Sequence, residues 1–370
     1  MKYTIGIIIG LALLAVGAYF VASNQGSENN NGGDESLAIT TSFYPLQFAL
    51  ERIVGEFGTV TNIGAGRDPH NFEPSTQDMV TLQRSDLVVL QGADFEPWGD
   101  DVIARLEADN VPVVIATANI ELHEGGHDHG EEKSPDMEHS DEHEKDSHSD
   151  EHAGEHADES HDDEHADEHT EDSHDGDHEA GAHAEEHTEE SHDDGHEHGA
   201  YDPHTWLDPV LFSETVGYLA EKIATLDPSN AAVYRANAAA LQAELAALDT
   251  EYANRLASCE LDEVITSHDA LGYLADRYNF KAHSIAGLST QDTPSITTLA
   301  ELREEAAEGI GAILLEENSI TAYGETLARE TGLQTLSLNP IAFIIPANET
   351  YLTLMRKNLD SFAIALVCNE

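Results

Sequence analysis

The chain has 370 residues, of which 73 are acidic and 16 are basic, so its formal net charge is −57. A balance this acidic argues against binding to nucleic acids or anionic membranes and favours attraction of cations. The length accommodates two domains of ordinary size once a leader and a polar insertion are set aside.

The N-terminus has the pattern of an export signal. A positive start is followed by an apolar run from Ile5 to Ala22, so we expect a signal peptide or membrane anchor over 1–24 and a flexible tether over 25–36. The run is long for a signal core and just long enough to span a bilayer, so cleavage and retention as an anchor both remain open. We expect an extracytoplasmic protein, without the lipid attachment that a nearby cysteine would offer.

Residues 37–120 alternate short apolar runs with amphipathic stretches, a pattern typical of a mostly parallel sheet covered by helices. This part is predicted to form an N-terminal α/β lobe. Its predicted strands are 37–42, 60–63, 87–90 and 113–115, and its predicted helices are 44–55, 75–84 and 98–108.

Residues 121–199 hold 18 of the 22 histidines together with 33 acidic residues and two lysines. Such a segment is too polar to bury a core, so we expect a disordered insertion. Imidazole is a common metal ligand, which makes weak auxiliary metal sites one interpretation and repeat expansion in a solvated spacer the other. The candidate auxiliary ligands are His127, His129, His148, His152, His156, His161, His165, His169, His174, His178, His183, His187, His192, His196 and His198.

After the insertion, residues 200–226 are expected to complete the N-terminal lobe. A stretch rich in Ala, Leu and Glu then predicts one long helix over 227–258, with Asp227 or Ser229 as its N-cap.

Residues 259–370 repeat the earlier alternation and are predicted to form a C-terminal α/β lobe. Its predicted strands are 264–266, 282–285, 312–315 and 335–338, and its predicted helices are 269–278, 295–307, 319–331 and 348–365. The only two cysteines, Cys259 and Cys368, are expected to form a disulfide in an exported chain, with two separate buried thiols as the alternative.

Three of the four histidines outside the insertion lie in compact motifs that are far apart in the chain. His70 follows the second predicted strand, His204 follows the insertion and opens a helix, and His268 follows the first strand of the second lobe. Ligands of open α/β sheets bind beyond the carboxyl ends of strands, so these loops are expected to converge on one metal ion in a cleft between the lobes. The fourth histidine, His283, lies within a predicted strand, where a structural or surface role is favoured.

From residue 37 onward the chain resembles the zinc- and manganese-type solute-binding proteins of ABC transporters, most closely the zinc-binding members with a His-rich loop. The segments that carry the resemblance are Asp68-Pro-His-Asn-Phe-Glu-Pro-Ser75, Gly92-Ala-Asp-Phe-Glu-Pro-Trp98, Asp202-Pro-His-Thr-Trp-Leu-Asp-Pro209, Ser267-His-Asp-Ala-Leu-Gly-Tyr-Leu-Ala-Asp-Arg-Tyr278 and Ile285-Ala-Gly-Leu-Ser289. The resemblance implies two lobes bridged by a rigid helix, one metal ion between them, and delivery of that metal to a membrane permease by a monomeric receptor.

Carried over residue by residue, the resemblance assigns His70, His204 and His268 as metal ligands. Manganese-type members typically have Glu at the third position, so His268 indicates Zn²⁺ rather than Mn²⁺. At the fourth position the family commonly has Asp, where this chain has Asn339; the fourth ligand is therefore Asn339, a water or a group from the insertion.

The residues around these ligands are assigned supporting roles. Glu73 and Glu316 are candidates for carboxylates that orient a ligating ring, and Trp98 and Trp206 are expected to anchor the packing of the first lobe.

Three functions fit this set of residues. The favoured one is an extracytoplasmic zinc receptor for an ABC permease rather than an enzyme. The alternatives are a zinc buffer that acts through its His-rich insertion and a zinc hydrolase, since three histidines and a water also describe a catalytic zinc site. The hydrolase has little support, because the His-Glu-x-x-His string of the chain, His123-Glu-Gly-Gly-His127, lies in the polar insertion and not on a predicted helix.

Overall fold

A computed structural model describes residues 36–125, 201–307, 309–316 and 321–369. The expected leader, most of the tether and residues 126–199 of the expected insertion lie outside the described residues. None of the helices among the described residues is both long and apolar enough to cross a membrane.

The N-terminal lobe is built on a four-stranded parallel sheet with the strand order β2-β1-β3-β4. Its central strand β3 is buried on both faces and is therefore apolar at every position, as parallel strands between helical layers usually are. The strands are β1 (Leu37–Thr41), β2 (Gly58–Asn62), β3 (Leu87–Leu90) and β4 (Val113–Ile115), and the helices are α1 (Tyr44–Val54), α2 (Thr76–Gln83) and α3 (Gly99–Ala108).

The C-terminal lobe repeats this topology with a second parallel sheet in the order β6-β5-β7-β8. The fold class expected from the alternation is therefore confirmed. The strands are β5 (Glu263–Thr266), β6 (Lys281–Ser284), β7 (Ala312–Glu316) and β8 (Gln334–Leu338), and the helices are α6 (Gly272–Tyr278), α7 (Ile296–Glu305), α8 (Thr321–Thr331) and α9 (Tyr351–Ala365).

Two antiparallel helices, α4 (Pro209–Leu226) and α5 (Ala231–Leu256), lie between the sheets in sequence. The long helix α5 contacts α1 of the first lobe and α9 of the second, so it joins the two lobes. A buried hydrogen bond from the Tyr252 hydroxyl to the Met355 carbonyl fixes its C-terminal half to α9.

The long helix is shorter than predicted because its start was misjudged. Asn230 is the N-cap, and it makes no capping hydrogen bond through its side chain. Asp227 instead ends α4, and its carboxylate accepts hydrogen bonds from Ser229, Asn230 and the hydroxyl of Tyr234. Asp227 therefore braces the turn between the two helices rather than capping the second.

The predicted helix start at His204 holds only for a short 3₁₀ helix, of which His204 is the N-cap, and the α-helix begins later. His204 precedes a single 3₁₀ turn, Thr205–Leu207, and α4 begins at Pro209 with Asp208 as its N-cap. The Asp208 carboxylate accepts from the backbone N–H groups of Val210 and Leu211, which the first turn of a helix leaves unpaired.

The insertion was predicted to begin at residue 121, yet residues 121–125 belong to the folded body. Glu124 forms an antiparallel bridge with Tyr201, and the His123 carbonyl accepts from the Asp202 N–H. The two ends of the intervening segment therefore meet beside the His204 motif, and the departure from the lobe lies at or beyond residue 126.

The predicted disulfide between Cys259 and Cys368 is confirmed. It ties the residues that follow α5 to those that follow α9, so it closes a loop that contains nearly the whole C-terminal lobe.

Candidate metal centre

Three imidazole rings from distant parts of the chain meet between the two lobes. Nε2 of His204 lies 3.4 Å from Nε2 of His70 and 3.4 Å from Nε2 of His268. One nitrogen from each of the three rings can be chosen so that all lie within 4.8 Å of one another, and they form the only such His, Cys, Asp or Glu group among the described residues. Donors of a tetrahedral zinc ion, bound at about 2.0–2.1 Å, lie about 3.3–3.4 Å apart. Both measured spacings match this value.

The parallel topology explains where His268 and its partner come from. In the C-terminal sheet β5 and β7 are neighbours, and the connections from their carboxyl ends run in opposite directions, which opens a crevice at that edge. His268 follows β5 and Glu316 ends β7. The Glu316 carboxylate lies 2.6 Å from Nδ1 of His268, and both side chains are 2% exposed.

The two N-terminal ligands share the triplet Asp-Pro-His and the same local turn. The Asp68 carboxylate accepts from the His70 N–H at 3.1 Å, and the Asp202 carboxylate accepts from the His204 N–H at 2.9 Å. An aspartate that binds the backbone two residues ahead forms a compact turn and fixes the direction of the following side chain.

Asp202 has a second role at the ring of His204. Its Oδ1 also lies 2.8 Å from Nδ1 of that ring, deep in the interior. A carboxylate on Nδ1 leaves Nε2 as the metal-binding nitrogen and makes it more basic. Asp202 and Glu316 therefore present His204 and His268 to the centre in the same way.

The pKa values of His70 and His268 are shifted in opposite directions. Burial and the neighbouring rings of His204 and His268 hold the pKa of His70 well below its ordinary value of 6.5. Burial also disfavours the charged form of His268, but the Glu316 carboxylate, with smaller effects of Asp68 and Asp269, outweighs it and raises the pKa of His268. Because a metal ion binds only the neutral ring, protons compete with a metal more strongly at His268 than at His70.

An aromatic wall backs the centre on the side of the first lobe. The ring centroid of Phe95 lies 4.9 Å from that of His70 and 5.0 Å from that of Trp206. Phe95 is held there by its neighbour Glu96, whose buried carboxylate accepts from the Ser42 hydroxyl and from the N–H groups of Gln91 and Gly92. Burial raises the pKa of Glu96 despite these hydrogen bonds.

The structure separates the two predicted orienting carboxylates. Glu316 contacts a ligand ring, whereas Glu73 is exposed and takes no part in the hydrogen bonds of the described histidines. Asp202, which sequence reasoning missed, contacts the His204 ring instead. The repeated Asp-Pro-His triplet is the signal that could have identified it.

Asn339 stands at the end of β8 with both ends of its side-chain amide engaged in its own loop. Its Oδ1 accepts from the Ile341 N–H at 2.7 Å, and its Nδ2 donates to the Ile344 carbonyl at 3.3 Å. Ile341 has a φ of 60°, which is strained for a β-branched residue. The Asn339 side chain therefore stabilises a strained turn.

Of the remaining predicted residues, only Trp206 packs on one of the three rings, with its centroid 5.2 Å from that of His204. His283 is flanked by Glu263 at 3.2 Å and Glu305 at 3.0 Å, in line with the structural role expected for it. Trp98 packs on Phe72 within the first lobe. Trp206 also connects the lobes, because its indole N–H donates to the Pro340 carbonyl.

The predicted auxiliary histidines, from His127 to His198, all lie outside the described residues. His123, which belongs to the same His-rich stretch, is described: its ring stacks on Tyr273 with the centroids 4.1 Å apart.

Residues 39–365 match the family model ZnuA, described as the periplasmic component A of the zinc-uptake complex. The chain belongs to this family.

Two curated relatives illustrate how much of each protein is shared. The zinc-binding lipoprotein AdcA of Streptococcus pneumoniae is 29% identical over 365 residues, which cover 95% of the chain but only 60% of AdcA. The chain thus spans little more than half the length of the AdcA relatives. The high-affinity zinc uptake system protein ZnuA of Bacillus subtilis is 29% identical, with 97% of the chain and 96% of the relative covered.

A solved structure supports the same fold. The Zn(II)-bound ZnuA-like domain of S. pneumoniae AdcA is 26% identical and superposes with a TM-score of 0.62, covering 90% of the chain and 99% of that domain.

Proposed function

We propose that the protein captures Zn²⁺ outside the cytoplasm and passes it to the permease of an ABC importer. The names of the relatives support this proposal, because they include a zinc-binding lipoprotein and a high-affinity zinc uptake protein. The family description names a periplasmic component, and the chain has an apolar N-terminus. Both support a location outside the cytoplasm. We further propose that the receptor acts as a monomer.

The observation that carries the proposal is the spacing of the three ligand nitrogens. The distance of 3.4 Å from Nε2 of His204 to Nε2 of each of its two neighbours fits tetrahedral zinc. The donor set supports zinc over manganese, because imidazole nitrogen suits zinc whereas manganese prefers carboxylate, carbonyl and water oxygens. The proposed ligands are His70, His204 and His268.

For the fourth position we propose water rather than Asn339. The Asn339 amide supports the turn at Ile341, and turning it toward a metal ion would give up that hydrogen bond. An unpaired N–H in a strained, buried turn costs about 1–3 kcal/mol. A water ligand avoids this cost, and it leaves an exchangeable position through which a cargo ion can be handed on.

Binding is favoured over hydrolysis by the positions of the buried carboxylates. A zinc hydrolase needs a general base beside the open metal position. Asp202 and Glu316 lie on the Nδ1 side of their rings, across the imidazole from the centre, so they orient ligands and do not face a bound water.

The test is a competition titration of zinc against a chromogenic chelator, performed on protein that lacks residues 126–200. We expect one tight site in this protein and a loss of at least 100-fold in affinity after His268→Ala. His283→Ala is the matched control, because it removes a histidine of the same lobe that does not reach the centre. Equal affinities for the His268→Ala protein and its parent would refute the assignment.

The same titration separates a receptor from a zinc buffer that works through its His-rich segment. A receptor keeps one tight site after the deletion, whereas a buffer loses nearly all of its zinc. Delivery is tested in the source organism by growth under a zinc chelator after loss of the chromosomal gene. The wild-type chain should restore growth and the His268→Ala chain should not.

A further inference from the structure

The two Asp-Pro-His turns of the first lobe are each bound by a hydroxyl group of the second lobe. On one side the Thr290 hydroxyl donates to Oδ2 of Asp68 at 2.6 Å. On the other side the Tyr273 hydroxyl donates to the backbone carbonyl of Asp202 at 2.7 Å. Both hydroxyl-bearing residues are buried, with exposures of 7% and 3%.

We propose that Thr290 and Tyr273 are positioning residues that fix the spacing of the three histidine rings at the metal centre. They bear no ligand atom. Each holds the turn that carries one proposed N-terminal ligand. Together they fix the position of the first lobe relative to His268. This inference rests on the proposed zinc site and adds the groups that set its geometry.

The hydrogen bonds connect directly to the ligands. Thr290 binds one oxygen of Asp68, and the other oxygen accepts from the His70 N–H. Tyr273 binds the carbonyl of the residue whose carboxylate holds both the N–H and the ring of His204. A shift of either turn therefore moves a ligand ring.

The placement of Tyr273 in sequence strengthens this reading. It follows His268 by five residues and lies in the first turn of α6, so one short segment carries the C-terminal ligand and the group that binds the His204 turn. Its hydroxyl also accepts from the His123 N–H, which ties the described start of the His-rich stretch to the same point.

Gly272 shows how closely the segments approach. A side-chain carbon at that position would lie 3.0 Å from Oδ2 of Asp202 and 3.8 Å from the ring of His123. Three segments therefore pack closely at Gly272: the Asp202 turn, the backbone at His123 and the start of α6. This close packing favours a fixed separation of the lobes at this point.

A fixed spacing of the donor nitrogens affects which metal ion the centre prefers. Donors held 3.4 Å apart suit tetrahedral zinc, and release of either turn lets the rings adapt to an ion with another preferred geometry. Loss of a hydroxyl is therefore expected to speed zinc release and to weaken discrimination against other divalent ions.

The test uses Thr290→Val and Tyr273→Phe, which remove one hydroxyl each with little change in shape. Zinc dissociation into excess chelator is followed by stopped flow, and the absorption spectrum of the Co²⁺-loaded protein reports coordination geometry. We expect dissociation about tenfold faster in each variant, the low end of the effect of losing a group that orients a ligand, together with a changed Co²⁺ spectrum.

Two control variants separate positioning from general loosening. Thr290→Ser keeps the hydroxyl and should restore slow release. Tyr278→Phe removes another hydroxyl of α6, one that donates to Asp249 of the long helix away from the centre, and should not alter the Co²⁺ spectrum. Wild-type release rates in Thr290→Val and Tyr273→Phe, or an equal effect of Tyr278→Phe, would overturn the proposal.

Amide hydrogen exchange in the metal-free protein tests the same idea without zinc. Thr290→Val should speed exchange of the His70 N–H and leave that of His204 unchanged, and Tyr273→Phe should do the reverse. Uniform changes at both amides, or none, would count against positioning by these hydroxyls. If the two variants show this crossed pattern but the wild-type protein binds no zinc, the result would contradict the proposed function alone.

Discussion

Replacing Glu316 by Gln isolates the contribution of one buried charge to the metal centre. The Glu316 carboxylate lies 2.6 Å from Nδ1 of His268, on the side of the ring opposite Nε2. Glutamine has the same shape and keeps an oxygen that can accept from Nδ1–H. The substitution therefore removes the negative charge while the ring can keep its orientation.

The size of the effect follows from the geometry. A zinc ion on Nε2 lies about 6 Å from the carboxylate oxygen, where the gross attraction is about 5 kcal/mol at an effective dielectric constant of 20. Much of this attraction is offset, because burying the carboxylate costs desolvation energy and because the amide oxygen of Gln still accepts a hydrogen bond from Nδ1–H. Loss of such partners usually lowers metal affinity by about 10–100-fold, or about 1.4–2.7 kcal/mol.

The pH dependence gives a sharper signature. The charge of Glu316 raises the pKa of His268, so as the pH falls the zinc affinity of the wild type begins to weaken at a higher pH than it would without that charge. In Glu316→Gln the pKa of His268 falls, and competition from protons begins at lower pH. The ratio of wild-type to variant affinity should therefore be largest at pH 8 and shrink as the pH falls toward 6.

Competition titrations at several pH values, with protein lacking residues 126–200, measure this ratio. The Glu73→Gln variant is the control, because Glu73 is exposed. A Glu316→Gln protein with wild-type zinc affinity at pH 8 would refute the reasoning. So would an affinity ratio that stays constant with pH, since the carboxylate would then leave protonation of the ring unaffected.

Four further predictions follow from the described contacts. Asn339→Asp should change zinc affinity less than about threefold by the same titration, because the side chain serves its own loop; a tightening above tenfold would make this residue a ligand. The pKa of Asp227 is lowered to about 2 by hydrogen bonds from its neighbours, so Asp227→Asn should reduce the free energy of unfolding by about 1 kcal/mol at pH 7 after discounting for solvent screening. That difference should persist above pH 4 and vanish as the pH falls through 2, as urea denaturation at both ends of the range would measure; a constant difference would contradict the linkage. Replacement of Cys259 and Cys368 by Ser should lower the free energy of unfolding by about 4 kcal/mol, the chain entropy of a loop this long. Denaturation of the wild-type protein with and without reductant checks this. Equal midpoints in the two conditions would contradict it. Deletion of 126–200 should slow zinc loading at limiting zinc, because tethered weak ligands raise its local concentration, and equal stopped-flow rates would leave the segment a passive spacer.

Local sequence pattern sufficed for most of the secondary structure and singled out the three histidines that converge between the lobes. The strands Leu87–Leu90 and Val113–Ile115 begin and end where their apolar runs predict. These features depend on neighbours in the chain, since a buried parallel strand must be apolar along its whole length. The three Asp-Pro-His and Ser-His-Asp motifs likewise stand out without knowledge of the fold.

Boundaries were less predictable where two local signals competed. Asp227 and Ser229 are both good N-caps, yet Asp227 is already engaged by the preceding helix end and by the hydroxyl of Tyr234 in the following helix. The start of the His-rich insertion was misplaced for a related reason. Residues 121–125 are nearly as polar as those that follow, and their pairing with Tyr201, Asp202 and Tyr273 holds them against the folded body.

The arrangement around the metal centre was decided by tertiary structure. Glu316 reaches His268 because β5 and β7 are neighbours in the sheet, and Thr290 reaches Asp68 across 222 residues of chain. Composition and periodicity record which face of an element is buried, but they carry no information on which polar groups meet when two lobes pack. The sequence by itself therefore determined most of the elements and singled out the three candidate ligands, whereas the packing of the lobes decided which carboxylates and hydroxyls contact them and placed Nε2 of His204 3.4 Å from Nε2 of each of the other two rings.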